Sequence, residues 1–281
     1  MMAGQWRGYA EIDVFASTPL SGNALAVVND ADGLSDAQMQ AFAQWTQLSE
    51  TTFLLAPTEP QADYRVRIFT PGGELPFAGH PTLGSCRAWL QRGGRPRGEA
   101  IVQQCAKGLV RIRRGEDRLA FEAPPMQQSA LPAESLQALC DALGLNRTLV
   151  RDAALLDNGP QWAALRVDAA ATVLALKPDF AALKALPKVG VIGARAPGEP
   201  CAFEVRAFAP GIGVNEDPVT GSLNASLAQW LIASGDAPAQ YVAAQGSCIG
   251  RAGRVFVQRQ DDGAVWVGGH AVLRVQGQVL L

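Results

Sequence analysis

Residues 80–85 read His80-Pro81-Thr82-Leu83-Gly84-Ser85, and residues 217–222 read Asp217-Pro218-Val219-Thr220-Gly221-Ser222. Each string carries an ionisable residue, then proline, then two residues and Gly-Ser. Upstream, Phe69-Thr70-Pro71 answers Phe208-Ala209-Pro210; downstream, Trp89-Leu90 answers Trp230-Leu231. The three pairs are 139, 137 and 141 positions apart, so short insertions and deletions separate the copies. Three matches in one order argue for two related lobes. Paired lobes are expected to create a cleft between them.

The surroundings of each string read as strand, loop, helix. Tyr64 to Phe69 alternates Arg65 and Arg67 with Val66 and Ile68, a half-buried strand. Leu83, Ala88, Trp89 and Leu90 then predict a helix that closes before Gly93-Gly94. In the second copy, Phe203 to Phe208 is the strand, Ala209 to Pro218 the loop, and about Gly221 to Ala233 the helix. Nearer the amino terminus, Tyr9–Phe15 and Ala24–Val28 read as strands around a polar loop. Ser35 with Gln38 forms a capping-box pattern, and Met39, Phe42 and Ala43 give the following helix an apolar face. A strand over Thr51–Leu55 leaves Ser49-Glu50 at a helix-to-strand junction. Further strands are expected at Ile101–Gln104, Leu109–Arg113, Leu119–Glu122, Ala163–Val167, Val189–Gly193, Val255–Gln258, Val265–Gly268 and Ala271–Val275, with a helix from about Ala133 to Leu143. The reading is an α+β chain with lobes at 1–127 and 128–281, the final strands being able to pack back on the first lobe.

Composition narrows the function classes. The chain has 281 residues, 24 Lys+Arg against 26 Asp+Glu, and 48% hydrophobic residues. A sizeable core is available, and a net charge of −2 supplies no broad positive field for a nucleic-acid backbone. The basic cluster Arg111, Arg113 and Arg114 is soon followed by Glu116 and Asp117. No stretch approaches the ~20 apolar residues that span a bilayer, and MMAGQWRGYAEIDVF holds no signal core, so a cytoplasmic location is expected. The five cysteines, Cys86, Cys105, Cys140, Cys201 and Cys248, are widely spaced and lack a CxxC. No disulfide framework is implied, and a carboxylate-rich metal site stays open. Two histidines exclude a site built on three within one chain.

The chemistry-bearing residues gather at the repeated loops. Proline presets a first helical turn, glycine permits close backbone approach, and Ser or Thr can cap. N–H groups at a helix start attract carboxylate or phosphate. His80 has the side chain suited to proton transfer near neutral pH, and Asp217 is its counterpart. Taken singly, each of them also suits a structural hydrogen bond or a turn, Glu50 a solvated junction, and Glu216 surface charge. Cys86, Cys105, Cys140 and Cys248 read as small buried hydrophobes, and His270 as structural or exposed. Trp45, Trp89 and Trp230 read as packing residues. Trp162 and Tyr241 suit either a pocket wall or the core.

Taken together, Leu48-Ser49-Glu50-Thr51-Thr52-Phe53, Glu74-Leu75-Pro76-Phe77-Ala78-Gly79-His80-Pro81-Thr82 and Glu216-Asp217-Pro218-Val219-Thr220-Gly221-Ser222 resemble the phenazine-biosynthesis PhzF-like family. Asp13-Val14-Phe15, Ser21-Gly22-Asn23-Ala24-Leu25-Ala26-Val27-Val28 and Val267-Gly268-Gly269 fit it too, so the resemblance covers essentially the whole chain. It implies a diaminopimelate-epimerase-like fold of two pseudo-symmetric lobes, each a curved sheet wrapped around a central helix. It also implies a homodimer and cofactor-independent isomerisation of trans-2,3-dihydro-3-hydroxyanthranilate, with no metal. By the same resemblance Glu50 matches the proton-shuttling glutamate, His80 and Asp217 the assisting polar residues, and Gly79, Gly221 and Ser222 backbone positions around a small anionic carboxylate. Epimerases of this fold that use two thiols place them where this chain has His80 and Asp217, which makes a two-cysteine racemase a poor match. The alternatives are a lyase or epimerase acting on another small carboxylate, or a non-catalytic metabolite-binding protein.

Overall fold

The computed structural model describes residues 4–281; the first three positions of the segment read for a signal core lie outside it. Contacts divide the chain into two units, Met1–Glu122 with Gly268–Leu281, and Ala123–Val267. The chain therefore leaves the first unit at 122 and returns to it at 268.

The first unit runs β1 (Trp6–Val14), β2 (Asn23–Val28), α1 (Asp36–Thr46), β3 (Glu50–Leu55), β4 (Tyr64–Thr70), β5 (Gly73–Leu75), α2 (Gly79–Gln91), β6 (Ile101–Cys105), β7 (Gly108–Arg114) and β8 (Leu119–Glu122). From β1 to β7 the ladder alternates: β1–β2 antiparallel, β2–β3 parallel, β3–β4 antiparallel, β4–β6 parallel, β6–β7 antiparallel. α2 touches β1, β2, β3, β6 and β8, so the sheet curls around the helix. The helix is buried along almost its whole length, as expected of one enclosed by strands on several sides. α1 covers the outer face, where Met39, Phe42 and Ala43 meet Val28, Phe53 and Phe69. Its start carries the expected reciprocal Ser35–Gln38 capping box.

The second unit runs β9 (Gln127–Ala130), α3 (Ala133–Leu143), β10 (Val150–Asp157), β11 (Gln161–Val167), α4 (Ala170–Ala175), α5 (Phe180–Leu183), β12 (Val189–Ala194), β13 (Phe203–Ala209), β14 (Val214–Asp217), α6 (Gly221–Ser234), β15 (Gln240–Gln245), β16 (Gly253–Arg259) and β17 (Val265–Gly269), the last strand reaching the point of return. Its ladder repeats the first: β10–β11 antiparallel, β11–β12 parallel, β12–β13 antiparallel, β13–β15 parallel, β15–β16 antiparallel. α6 takes the place of α2, with its residues from Gly221 to Ala228 all buried. The closing strand β18 (Ala271–Leu280) pairs antiparallel with β1.

Several elements depart from the sequence expectations. β9, β10, α4 and α5 lie in stretches without a clear apolar period, and β18 runs well past Val275. The repeated strings also enter their helices differently. His80 and Pro81 lie inside the first turn of α2, whereas Asp217 ends β14 and Pro218 precedes the Thr220 cap of α6. Trp45 is 77% exposed and stacks on Phe42 at the surface rather than packing into a core. Cys248 is exposed, unlike the four buried cysteines. Glu216 is no surface charge: it forms a buried ion pair with Arg206. No helix among the described residues is long and apolar enough to cross a membrane.

The turn from β1 to β2 has no slack. Asp13 accepts from the amides of Leu20 and Gly22 at 2.7 and 2.9 Å. A Cβ on Gly22 would lie 2.2 Å from the Val14 carbonyl oxygen and 2.8 Å from the Ala16 nitrogen, both backbone atoms that cannot rotate away. Gly22→Ala is expected to destabilise the protein by about 1–3 kcal/mol, read as a lower urea midpoint.

Candidate active site

In the first unit three elements bring polar groups to one place. β2 and β3 are parallel neighbours, with Leu25 opposite Glu50, so Asn23 at the start of β2 lies near Ser49-Glu50. α2 starts beside them. Ser85 Oγ donates to Thr52 Oγ1 at 2.9 Å, and both side chains are buried, which ties the helix to β3. Gly84 lets α2 approach closely, because a Cβ there would stand 2.5 Å from Leu25 Cδ2.

The hydrogen bonds have a direction. Ser49 Oγ donates to Asn23 Oδ1 at 3.1 Å, turning the amide nitrogen of Asn23 towards His80 Nδ1, 3.2 Å away. An amide nitrogen only donates, so Nδ1 accepts. His80 is 2% exposed, and its burial pushes its pKa down to about 3. The ring is therefore neutral at physiological pH, and its single N–H is on Nε2. That atom lies 3.5 Å from Oε2 of Glu50, itself 9% exposed. At that distance the two atoms face each other without forming a hydrogen bond, and the neutral ring places no positive charge beside the carboxylate.

The repeat breaks at the carboxylate. Thr51 pairs with Phe69 as Val189 pairs with Phe208, so Lys188 occupies in the second unit the position of Glu50 in the first. Lys188 Nζ sits 5.2 Å from the centre of the Trp162 ring.

In the second unit Asp217 is buried at the end of β14, and Thr220 Oγ1 donates to its Oδ2 at 2.5 Å. Gln245 on β15, fully buried, binds both the Asp217 carbonyl and Thr220. Arg206 holds the adjacent Glu216 through two bonds of 2.9 and 2.8 Å and also donates to the Leu176 carbonyl at 2.9 Å. Trp162 Nε1 donates to Ser222 Oγ at 3.3 Å, while Tyr241 packs edge-on against Phe203 in the core.

Neither central helix has the side-chain cap expected from the sequence. Ala78 precedes α2 and has no cap to offer, and Thr220 precedes α6 with its hydroxyl committed to Asp217. The first N–H groups of α2 and α6, at Gly79, Gly221 and Ser222, thus start their helices without side-chain acceptors. Cys86 lies two helical turns beyond the start of α2, fully buried, with its thiol pushed up to about 12 by burial; it is a packing residue. His270 stands 3.3 Å from the Asp117 carbonyl oxygen, apart from these groups. Sequence reasoning missed Asn23 as a partner of His80, and Thr220, Gln245 and Arg206 as partners of the Asp217 segment. Asn23 was visible inside the Ser21–Val28 string, whereas the others carry no local signal.

A model of the phenazine biosynthesis-like family matches residues 12–277. The chain belongs to this family. It is 38% identical to the Schizosaccharomyces pombe protein antisense-enhancing sequence 1, over 96% of this chain and 97% of that one. It is 34% identical to the trans-2,3-dihydro-3-hydroxyanthranilate isomerase of Pseudomonas aeruginosa, over 97% and 99% of the two chains. The crystal structure of a PhzF-family protein from Enterococcus faecalis matches with a TM-score of 0.80 at 28% identity, covering 99% of this chain and 100% of the other. The expected two-lobed, diaminopimelate-epimerase-like architecture of sheet and helices is therefore that of this family member, and the protein is an isomerase of the general acid–base type.

The neutral histidine sets a measurable condition. The folded pKa of about 3 lies below the ordinary value near 6.5, so the unfolded chain binds the proton first. The stability contributed by neutral His80 is complete above pH ~6.5 and is lost as pH falls from there towards 3. Nitrogen-15 NMR is expected to show His80 protonated on Nε2 alone, with no titration between about pH 5 and 8.

Proposed function

We propose that this family member isomerises a small cyclic carboxylate by moving one proton through Glu50, with trans-2,3-dihydro-3-hydroxyanthranilate as the substrate to test first. The observation that carries the reading is the ordered set Ser49, Asn23, His80, which presents a neutral N–H to Glu50. Such a setting suits a carboxylate that takes up a proton and gives it back.

Glu50 removes the proton from the ring carbon bearing the hydroxyl and redelivers it elsewhere on the conjugated system. The enol that results relaxes to a ketone. The diene and the substrate carboxylate spread the developing charge, so the step needs no external electron sink. His80 keeps Glu50 oriented throughout. Its depressed pKa makes it a poor proton store at neutral pH, which leaves the shuttle to the glutamate. Asp217 is assigned to the substrate amine or hydroxyl. The helix-start amides of Gly79, Gly221 and Ser222 are assigned to the substrate carboxylate, a role that suits starts without side-chain caps. The likeness to the Pseudomonas aeruginosa isomerase over nearly the full length of both chains supports this choice of substrate.

The test is conversion of the dihydrohydroxyanthranilate in D₂O, followed by NMR. Wild-type protein is expected to convert it with deuterium incorporated at the receiving carbon. Glu50→Gln keeps the shape of the side chain and is expected to lower kcat by about 10²–10⁴ while remaining folded. No conversion by folded wild-type protein would sink this substrate, and full activity in the variant would remove Glu50 from its role.

A further inference from the structure

We propose that Thr220 and Gln245 are positioning residues that orient the hydrogen bonds at Asp217 so that its Oδ2 is held as an acceptor on an ionised carboxylate. The use of that carboxylate in turnover rests on the reading above; the orientation itself follows from this unit alone.

The chain of donors starts at the backbone. The amide of Thr220 donates to Gln245 Oε1 at 3.0 Å, and a backbone N–H has no other role. Oε1 is therefore the side-chain oxygen, and Asn224 Nδ2 donates to it as well at 2.9 Å. That leaves Gln245 Nε2 on the other side, where it donates to the Asp217 carbonyl at 3.0 Å and to Thr220 Oγ1 at 2.9 Å. A hydroxyl has one proton. Because Thr220 Oγ1 already accepts from Gln245, its proton is directed to the remaining neighbour, Asp217 Oδ2 at 2.5 Å. All four hydrogen-bonding positions of the Gln245 amide are filled, and the side chain is fully buried, so it has no alternative pose.

A donor aimed at a carboxylate oxygen favours the charged form. Glu216, next in sequence, is held by Arg206. Arg251 follows Gln245 in the Gly246 turn together with the Cys248 thiol, and Arg254 on β16 donates to the Gly253 carbonyl. Within this network the orientation reaches Asp217 through the Thr220 hydroxyl.

The experiment is a carbon-13 titration of the Asp217 carboxyl in protein labelled at aspartate, with the signal assigned by its loss in Asp217→Asn. Thr220→Val removes the hydroxyl and nearly keeps the shape. It is expected to raise the Asp217 pKa by about one unit or more relative to wild type. Gln245→Met removes the donor to Thr220 without adding a charge, which frees the hydroxyl proton to turn away, and is expected to raise it in the same direction. An unchanged titration in folded Thr220→Val overturns the proposal. A shift there with none in Gln245→Met overturns the part given to Gln245. If either variant fails to fold, neutron diffraction of the deuterated wild-type protein decides. Deuterium on Thr220 Oγ1 aimed at Asp217 upholds the proposal; deuterium aimed at Gln245, or carried on Oδ2, overturns it. Full turnover in Asp217→Asn would instead remove Asp217 from the proposed function without touching the titration result.

Discussion

A helix enclosed by its own sheet must find partners for its first N–H groups among what the surrounding strands and loops supply. Both α2 and α6 are in this position. Their flanks are crowded to the point where glycine is needed: Gly84 on α2 against Leu25, and Gly190 on β12, where a Cβ would stand 2.4 Å from the Leu223 side chain. The crowding holds each helix start in place against its strands. It also removes the ordinary side-chain cap, since Ala78 has none and Thr220 spends its hydroxyl on Asp217.

Burial gives the polar groups around these starts a single orientation. A buried donor or acceptor left unmatched costs about 1–3 kcal/mol, so the favoured arrangement satisfies its members in sequence. In the first unit the hydrogen bonds run Ser49, Asn23, His80, and the ring then faces Glu50 at 3.5 Å; in the second they run Thr220 amide, Gln245, Thr220 hydroxyl, Asp217. Each series points at a carboxylate, across 3.5 Å in the first unit and through a hydrogen bond in the second. The same ladder of strands thus carries two differently built polar termini, a neutral imidazole in one and an amide–hydroxyl pair in the other. The Glu50 position itself becomes Lys188 in the second copy, so the proposed acid–base group belongs to one unit only.

Much of the fold was legible in the sequence because its signals are local. The repeat at Phe69, His80 and Trp89 announced two related halves, and the Ser35–Gln38 pair marked the start of α1 to the residue. The candidate residues Glu50 and His80 were legible through their motifs, and the structure brings them within 3.5 Å of each other. The strand β10 and the short helices α4 and α5 were not legible, since packing against α3 and β12 rather than any periodic pattern holds them. Glu216 looked like a surface charge for a similar reason: its partner Arg206 lies across a strand pairing, and nothing near either residue in sequence announces the other.

The amino-acid sequence by itself determined the two-lobe plan, the family and the identity of the carboxylates, because short-range periodicity and motif spacing encode them. Tertiary structure alone decided that His80 is neutral, that Asn23 sets its tautomer, and that Gln245 orients Thr220 towards Asp217. Those properties come from burial and from hydrogen bonds between residues 21 to 57 positions apart, and such distances leave no trace in a local pattern.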